Sequence, residues 1–165
     1  MNDLRFQVSD LLGHPGLDRW VYGEAKLALA VGETSVSSLA ATYAHITAVT
    51  HGVLVDGWSG VMANHICARC LREWEAPVET QWSELFMRRP GEDESPIGVD
   101  GMIDLDPVVH DELSLALPAD PLCRPDCRGL CVMCGADLNM DPCAGHDDES
   151  SSPFAALRQL FGSES

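Results

Sequence analysis

Leu39–Leu85, LAATYAHITAVTHGVLVDGWSGVMANHICARCLREWEAPVETQWSEL, is the stretch on which the fold turns. Its first part, Leu39–Val55, alternates loosely through Thr, Tyr, Ile and Val, the period-two pattern of a half-buried strand. Thr50-His51-Gly52 supplies a turn. A second strand is read at Val53–Cys67, where Gly57 and Gly60 suggest bulges or a close approach of backbone. Glu73–Leu85 alternates through Trp74, Ala76, Val78, Thr80 and Trp82 and reads as a third. Three consecutive strands predict an antiparallel β meander or partial barrel, within an α+β chain that has few helices and a Cys-rich zinc-binding segment.

Working outward, residues 1–35 are mixed and Gly-rich, with a turn at His14-Pro15-Gly16, and Tyr22–Val31 reads equally as helix or strand. On the other side, Met87–Asp100 is charged and contains Pro and Gly; it is expected to be a mobile, poorly packed loop. A helix follows over 107–117, with Asp106 as N-cap, Pro107 at the first helical position and Val109, Leu113, Ala116 and Leu117 along one face. Pro118 stops it. Beyond the Cys-rich segment 123–146, an acidic, Ser-rich linker (Asp147–Ser152) leads to a short amphipathic helix, Pro153–Phe161, capped by Ser152. The expected organisation is a β-rich core domain over 1–122, a metal-binding segment over 123–146 and a tail over 147–165.

Composition narrows the function classes. The chain has 165 residues, 45% of them hydrophobic, enough for a buried core. It has no apolar run of about 18 residues to span a membrane. The N-terminus lacks the basic start and apolar core of a signal peptide, so a cytoplasmic location is expected. The net charge of −16, from 26 acidic and 10 basic residues, repels a phosphate backbone at long range; a basic protein partner and plain solubility explain it equally well. Four basic residues, Arg69, Arg72, Arg124 and Arg128, flank cysteines. Offsetting the charge of a thiolate-rich metal site explains them better than an RNA-contacting patch does.

The seven cysteines carry the chemistry. Cys67-x2-Cys70 is followed, after a long gap, by Cys123-x3-Cys127-x3-Cys131-x2-Cys134-x8-Cys143-x2-His146. An odd cysteine count in a reducing compartment argues against a disulfide framework. A Cys-x2-Cys knuckle converges two thiolates on one ion, and two pairs complete a tetrahedral zinc site. Gly135, directly after Cys134, permits the left-handed turn that closes a knuckle, a position filled by Leu71 after Cys70. Eight ligands suffice for two ions: Cys67, Cys70, Cys123 and Cys127 at one, Cys131, Cys134, Cys143 and His146 at the other. A rival grouping unites Cys123, Cys127, Cys131 and Cys134 and leaves Cys67 and Cys70 apart; spacing does not choose between them. Zinc is preferred to an iron–sulfur cluster on ligand type and compartment. A thioredoxin-like pair would need a βαβ setting, which the pattern lacks. His14, His45, His51, His65 and His110 are scattered, and no HExxH, P-loop or GxGxxG occurs, so no enzyme is expected.

The ordered combination of Cys-Ala-Arg-Cys-Leu at 67–71, the run Ile103–Pro118, Cys-Arg-Pro-Asp-Cys-Arg-Gly-Leu-Cys-Val-Met-Cys-Gly-Ala-Asp-Leu-Asn at 123–139 and Ser-Pro-Phe-Ala-Ala-Leu at 152–157 resembles the YceD family of large ribosomal RNA subunit accumulation proteins, in its actinobacterial branch. The resemblance covers about Phe6 to Leu160. It implies a non-enzymatic factor needed for 23S rRNA accumulation, working through a basic large-subunit protein such as ribosomal protein L32, or on a pre-ribosomal particle. It also implies the first grouping above, since relatives with His at the positions of Cys123 and Cys127 keep the Cys67/Cys70 pair. Two other function classes are set beside it: a zinc-containing RNA-binding module using the knuckle arginines, and a thiol or metal redox switch.

Overall fold

The computed structural model describes residues 4–92, 94–140, 143, 145 and 146. Nine strands and one helix follow in order: β1 (Arg5–Gln7), β2 (Asp18–Lys26), β3 (Leu29–Val31), β4 (Thr34–Val36), β5 (Leu39–Val49), β6 (Gly52–Ile66), β7 (Glu73–Met87), β8 (Ser95–Pro96), β9 (Met102–Asp104) and α1 (Asp106–Ala116). The expected meander is present: β5 pairs antiparallel with β6, and β6 with β7 along its whole length. The sheet is open, mostly antiparallel and extended by β2 beside β5. Past Gly60, the edge of β6 vacated by β5 is taken by β4, which carries β3. β1 and β9 form a separate two-stranded ribbon.

Alternation settles which face is buried. Ala40, Thr42, Ala44, Ile46 and Ala48 of β5 point inward with Val53, Val55, Val61 and Ala63 of β6. Helix α1 packs across β7 and touches β3 and β6, adding Val109 and Leu113 to the same apolar cluster. Leu4, Val8, Ile103 and Leu105 complete it from the chain segments around the ribbon. Full burial of an aliphatic side chain of this size contributes about 1.5–3 kcal/mol. Inside, the Thr42 and Ser59 hydroxyls lie 3.0 Å apart, and Trp82 Nε1 donates to Ser59 Oγ at 3.0 Å.

Four sequence expectations need correction. The ambiguous Tyr22–Val31 is strand except at Leu27 and Ala28, and residues 1–36 hold four strands in all, three of them only three residues long. Gly57 and Gly60 form no bulge, since β6 keeps continuous register with both neighbours. Gly57 instead makes room for Trp82, whose ring would lie 2.2 Å from an added Cβ. Met87–Asp100 is partly packed: Ser95–Pro96 pairs with β7, Ile97 is buried, and its N–H donates to Met87 O at 2.9 Å. The helix N-cap is Leu105, without a side-chain cap, and Asp106 is already helical; Asp104 Oδ1 takes the Asp106 N–H at 3.0 Å. The Asx turn at Asp104 supplies the start signal that the sequence reading placed two residues later. The tail helix Pro153–Phe161 lies outside the described residues.

Candidate metal centres

Both Cys-x2-Cys pairs adopt one backbone motif. In the first, Leu71 N–H donates to Cys67 O (2.9 Å) and Cys67 N–H to Arg72 O (2.9 Å). In the second, Gly135 N–H donates to Cys131 O (2.8 Å) and Cys131 N–H to Ala136 O (2.8 Å). Each knuckle turns through a left-handed residue, Leu71 at φ 58° and Gly135 at φ 73°. Glycine takes that region freely, whereas leucine adopts it at a cost of about 1–2 kcal/mol. Leu71 is the described non-glycine residue with positive φ, so the surrounding structure imposes this turn.

The first knuckle hangs from the end of β6. Opposite it, the chain leaving α1 is pinned to the sheet: Glu33 N–H donates to Ala119 O (3.0 Å), and Ala68 N–H to Pro121 O (3.0 Å). Thr34 Oγ1 donates to Pro118 O (2.7 Å) and therefore accepts from buried His65 Nδ1 (3.0 Å), whose ring stacks on Trp74. These bonds deliver Cys123 and Cys127 to the knuckle. Leu130 N–H donates to Arg69 O (3.0 Å), and Arg69 Nη1 donates to Cys127 O (2.8 Å).

The eight side chains fall into two groups, Cys67, Cys70, Cys123 and Cys127 in one, Cys131, Cys134, Cys143 and His146 in the other. Within each, all ligand atoms lie within 4.8 Å of one another. Four sulfurs at about 2.3 Å from a tetrahedral ion sit about 3.8 Å apart. Cys67–Cys127 at 3.8 Å, Cys70–Cys123 at 3.6 Å and Cys134–Cys143 at 3.8 Å meet that spacing. Cys143 Sγ to His146 Nε2 is tighter, at 3.0 Å. Either group can therefore hold a metal ion. The first is largely enclosed, with Cys67 and Cys127 buried; in the second, Cys134 and His146 are exposed.

Proton affinities in the groups follow from crowding. Burial pushes the Cys67 thiol up, but backbone hydrogen bonds from Cys123, Cys70 and Arg69 outweigh it and lower it to about 6. Its neighbour Cys123 is pushed up to about 12 by burial and by the surrounding thiols. Backbone hydrogen bonds from Cys134 and Met133 lower Cys131 to about 6. Cys67 and Cys131 are thus the thiols readiest to ionise in their groups, and a cation at the first centre would favour the thiolate form of Cys123.

One residue beyond the ligands ties the site together. Asn139 Nδ2 donates to Cys127 Sγ at 3.5 Å and to Asp137 Oδ1 at 2.7 Å. Its Oδ1 accepts from Arg124 Nη2 and the Arg128 N–H, both at 2.8 Å. The Asn139 backbone and side-chain bonds hold the Asp137 carboxyl below its ordinary value. Two of the knuckle arginines, Arg69 and Arg124, are thus engaged in building the centre.

The family model described as "Large ribosomal RNA subunit accumulation protein YceD" matches residues 55–161. An uncharacterised protein of Mycobacterium tuberculosis (strain ATCC 25618 / H37Rv) is 35% identical over 153 residues, 88% of this chain and 73% of its own. One from Mycobacterium leprae (strain TN) is 34% identical over 118 residues, 67% of this chain and 54% of its own. A maize protein named large ribosomal RNA subunit accumulation protein YCED homolog 1, chloroplastic, is 42% identical over 40 residues, 24% of this chain and 14% of its own. No solved structure matches the chain.

Proposed function

The chain belongs to the YceD family of large ribosomal RNA subunit accumulation proteins, and from that premise we propose that it is a non-enzymatic, cytoplasmic ribosome-biogenesis factor needed for 23S rRNA accumulation. The family match over residues 55–161 carries this reading. It acts through a basic large-subunit protein, with ribosomal protein L32 the first to test, or on a pre-ribosomal particle. The net charge of −16 supports a basic partner over bare RNA. So does the use of Arg69 and Arg124 inside the centre, where their guanidinium groups already have acceptors.

In this reading the β-rich core of 1–122 and the segment 123–146 are joined by zinc. Cys67, Cys70, Cys123 and Cys127 bind one ion; Cys131, Cys134, Cys143 and His146 bind the second. Thiolate and imidazole donors in tetrahedral spacing favour zinc, and no position is left open for a substrate, which suits a structural ion. Among the described residues, no helix is long and apolar enough to cross a membrane.

Depleting the protein and measuring the 23S to 16S ratio tests the role; an unchanged ratio refutes it. Elemental analysis of protein never exposed to chelator tests the zinc assignment. Two zinc ions per chain is the expected result, and a metal-free or iron-loaded protein overturns it.

A further inference from the structure

The sheet face opposite α1 has no covering element among the described residues. Strand pairing gathers its aromatic side chains into adjoining rows. Tyr22, Tyr43, Trp58 and Gln81 stand side by side across β2, β5, β6 and β7, and beside them run Trp20, His45, Asp56 and Ser83. Tyr22 and Tyr43 rings lie 4.7 Å apart, Tyr43 and Trp58 6.5 Å, and Trp20 stacks on His45 at 4.7 Å. Trp20 is 72% exposed, and Tyr43, Tyr22 and Trp58 are 50%, 48% and 46% exposed. Shallow depressions flank Trp58, one floored by Leu39, Met62 and Pro77, the other by Trp20 and Gln81. Single exposed aromatics are ordinary, but contiguous ones rimmed by charge mark an interaction surface.

The rim decides the partner. Asp18, Glu24, Asp56 and Glu79 point outward on these strands and are exposed, against one outward Lys, Lys26. Phosphates would be repelled, whereas cations are drawn to carboxylates and to the faces of electron-rich rings. Neighbouring strands lie about 4.8 Å apart, so the row from Tyr22 to Trp58 spans about 10 Å, the length of about three extended residues.

We propose that the aromatic and acidic outer face formed by β2, β5, β6 and β7 binds an Arg- and Lys-rich protein segment, its cations seated over the Trp20, Tyr43 and Trp58 rings between the rim carboxylates. This deepens, and rests on, the proposed action through a basic ribosomal protein. It places the partner surface on the sheet and away from the cysteine centres.

The test titrates the full-length, metal-loaded protein with a synthetic peptide of alternating Arg and Gly, its Glu-for-Arg counterpart and oligouridine, following tryptophan fluorescence. The Arg peptide binds, and Tyr43→Ala with Trp58→Ala weakens it about tenfold, the scale of two exposed cation–π contacts. Asp56→Asn with Glu79→Gln weakens it and flattens its salt dependence, with both rings kept in place. Equal affinity in all variants, equal binding of the Glu peptide, tighter ring-dependent binding of oligouridine, or self-association abolished by the same substitutions each overturns the proposal. Complementing depleted cells separates the two readings. A normal 23S to 16S ratio with Tyr43→Ala/Trp58→Ala removes this face from the biogenesis role and leaves that role standing. An unchanged ratio on depletion removes the role while peptide binding still reports on the face.

Discussion

Replacing Cys70 with serine takes one sulfur from the centre at the end of β6, and the cost can be worked from the chain it closes. Cys70 meets Cys123 across 53 positions of sequence, whereas Cys134 meets Cys143 across only 9. Treating each ion as a cross-link, chain entropy gives about 4 kcal/mol for the long loop and about 2.6 kcal/mol for the short one. The first centre also anchors the segment after α1 to the sheet through Ala68 and Leu130, so its loss loosens the core. The knuckle bonds of the second, by contrast, stay within residues 131–136. Urea unfolding of the wild type, Cys70→Ser and Cys134→Ser, followed by tryptophan fluorescence with parallel metal analysis, reads the difference. The expected losses are at least about 4 kcal/mol for Cys70→Ser and no more than about 2.6 kcal/mol for Cys134→Ser. Equal losses, or the reverse order, would refute the view that the first centre is architectural and the second local.

Three further outcomes are expected. Gly57→Ala places a Cβ 2.2 Å from the Trp82 ring and should cost about 1–3 kcal/mol by urea unfolding, a loss that shrinks when Trp82 is also changed to Leu. Asn139→Ala removes the amide from Cys127 Sγ and should weaken metal retention about 10–100-fold in competition with a chelator, without changing stoichiometry at saturating metal. In reduced, metal-free protein, Cys67 titrates at about 6, below its ordinary 9.0, so its contribution to stability is complete above that ordinary value and is lost as the pH falls through about 6. Cys123, pushed up to about 12, stays protonated across that window; thiolate ultraviolet absorbance should therefore show a step near 6, shared with Cys131, that Cys67→Ser halves and Cys67→Ser with Cys131→Ser deletes.

β5 and β6 were legible because burial alternates along them beyond the buried pair Gly52-Val53, and nothing in that pattern depends on distant partners. β1, β3 and β4 were not, since three residues carry no measurable period and their strand character comes from the neighbours they pair with. Gly57 was flagged, but a tight side-chain contact and a bulge look alike in sequence; only the register with Trp82 distinguishes them. Cysteine spacing marked the knuckles, while Asn139 escaped notice because its role rests on Arg124, Arg128 and Cys127 being brought around it. The aromatic rows were equally hidden, because Tyr22, Tyr43 and Trp58 become neighbours through strand register alone.

The left-handed turn at Leu71 has a consequence for timing. The Gly135 knuckle already favours its bent shape, and its partners Cys143 and His146 follow within a few residues, so it can load as soon as residues 131–146 leave the ribosome. The Leu71 knuckle emerges much earlier, yet it must wait, reluctant to bend, until the sheet has formed and Cys123 and Cys127 arrive. Metal entering metal-free protein should accordingly fill the C-terminal centre first, with the second equivalent taken up at the rate of refolding. On the proposed two-ion reading, occupancy of the buried centre would work as a completion mark, present only on chains whose two distant halves have found each other.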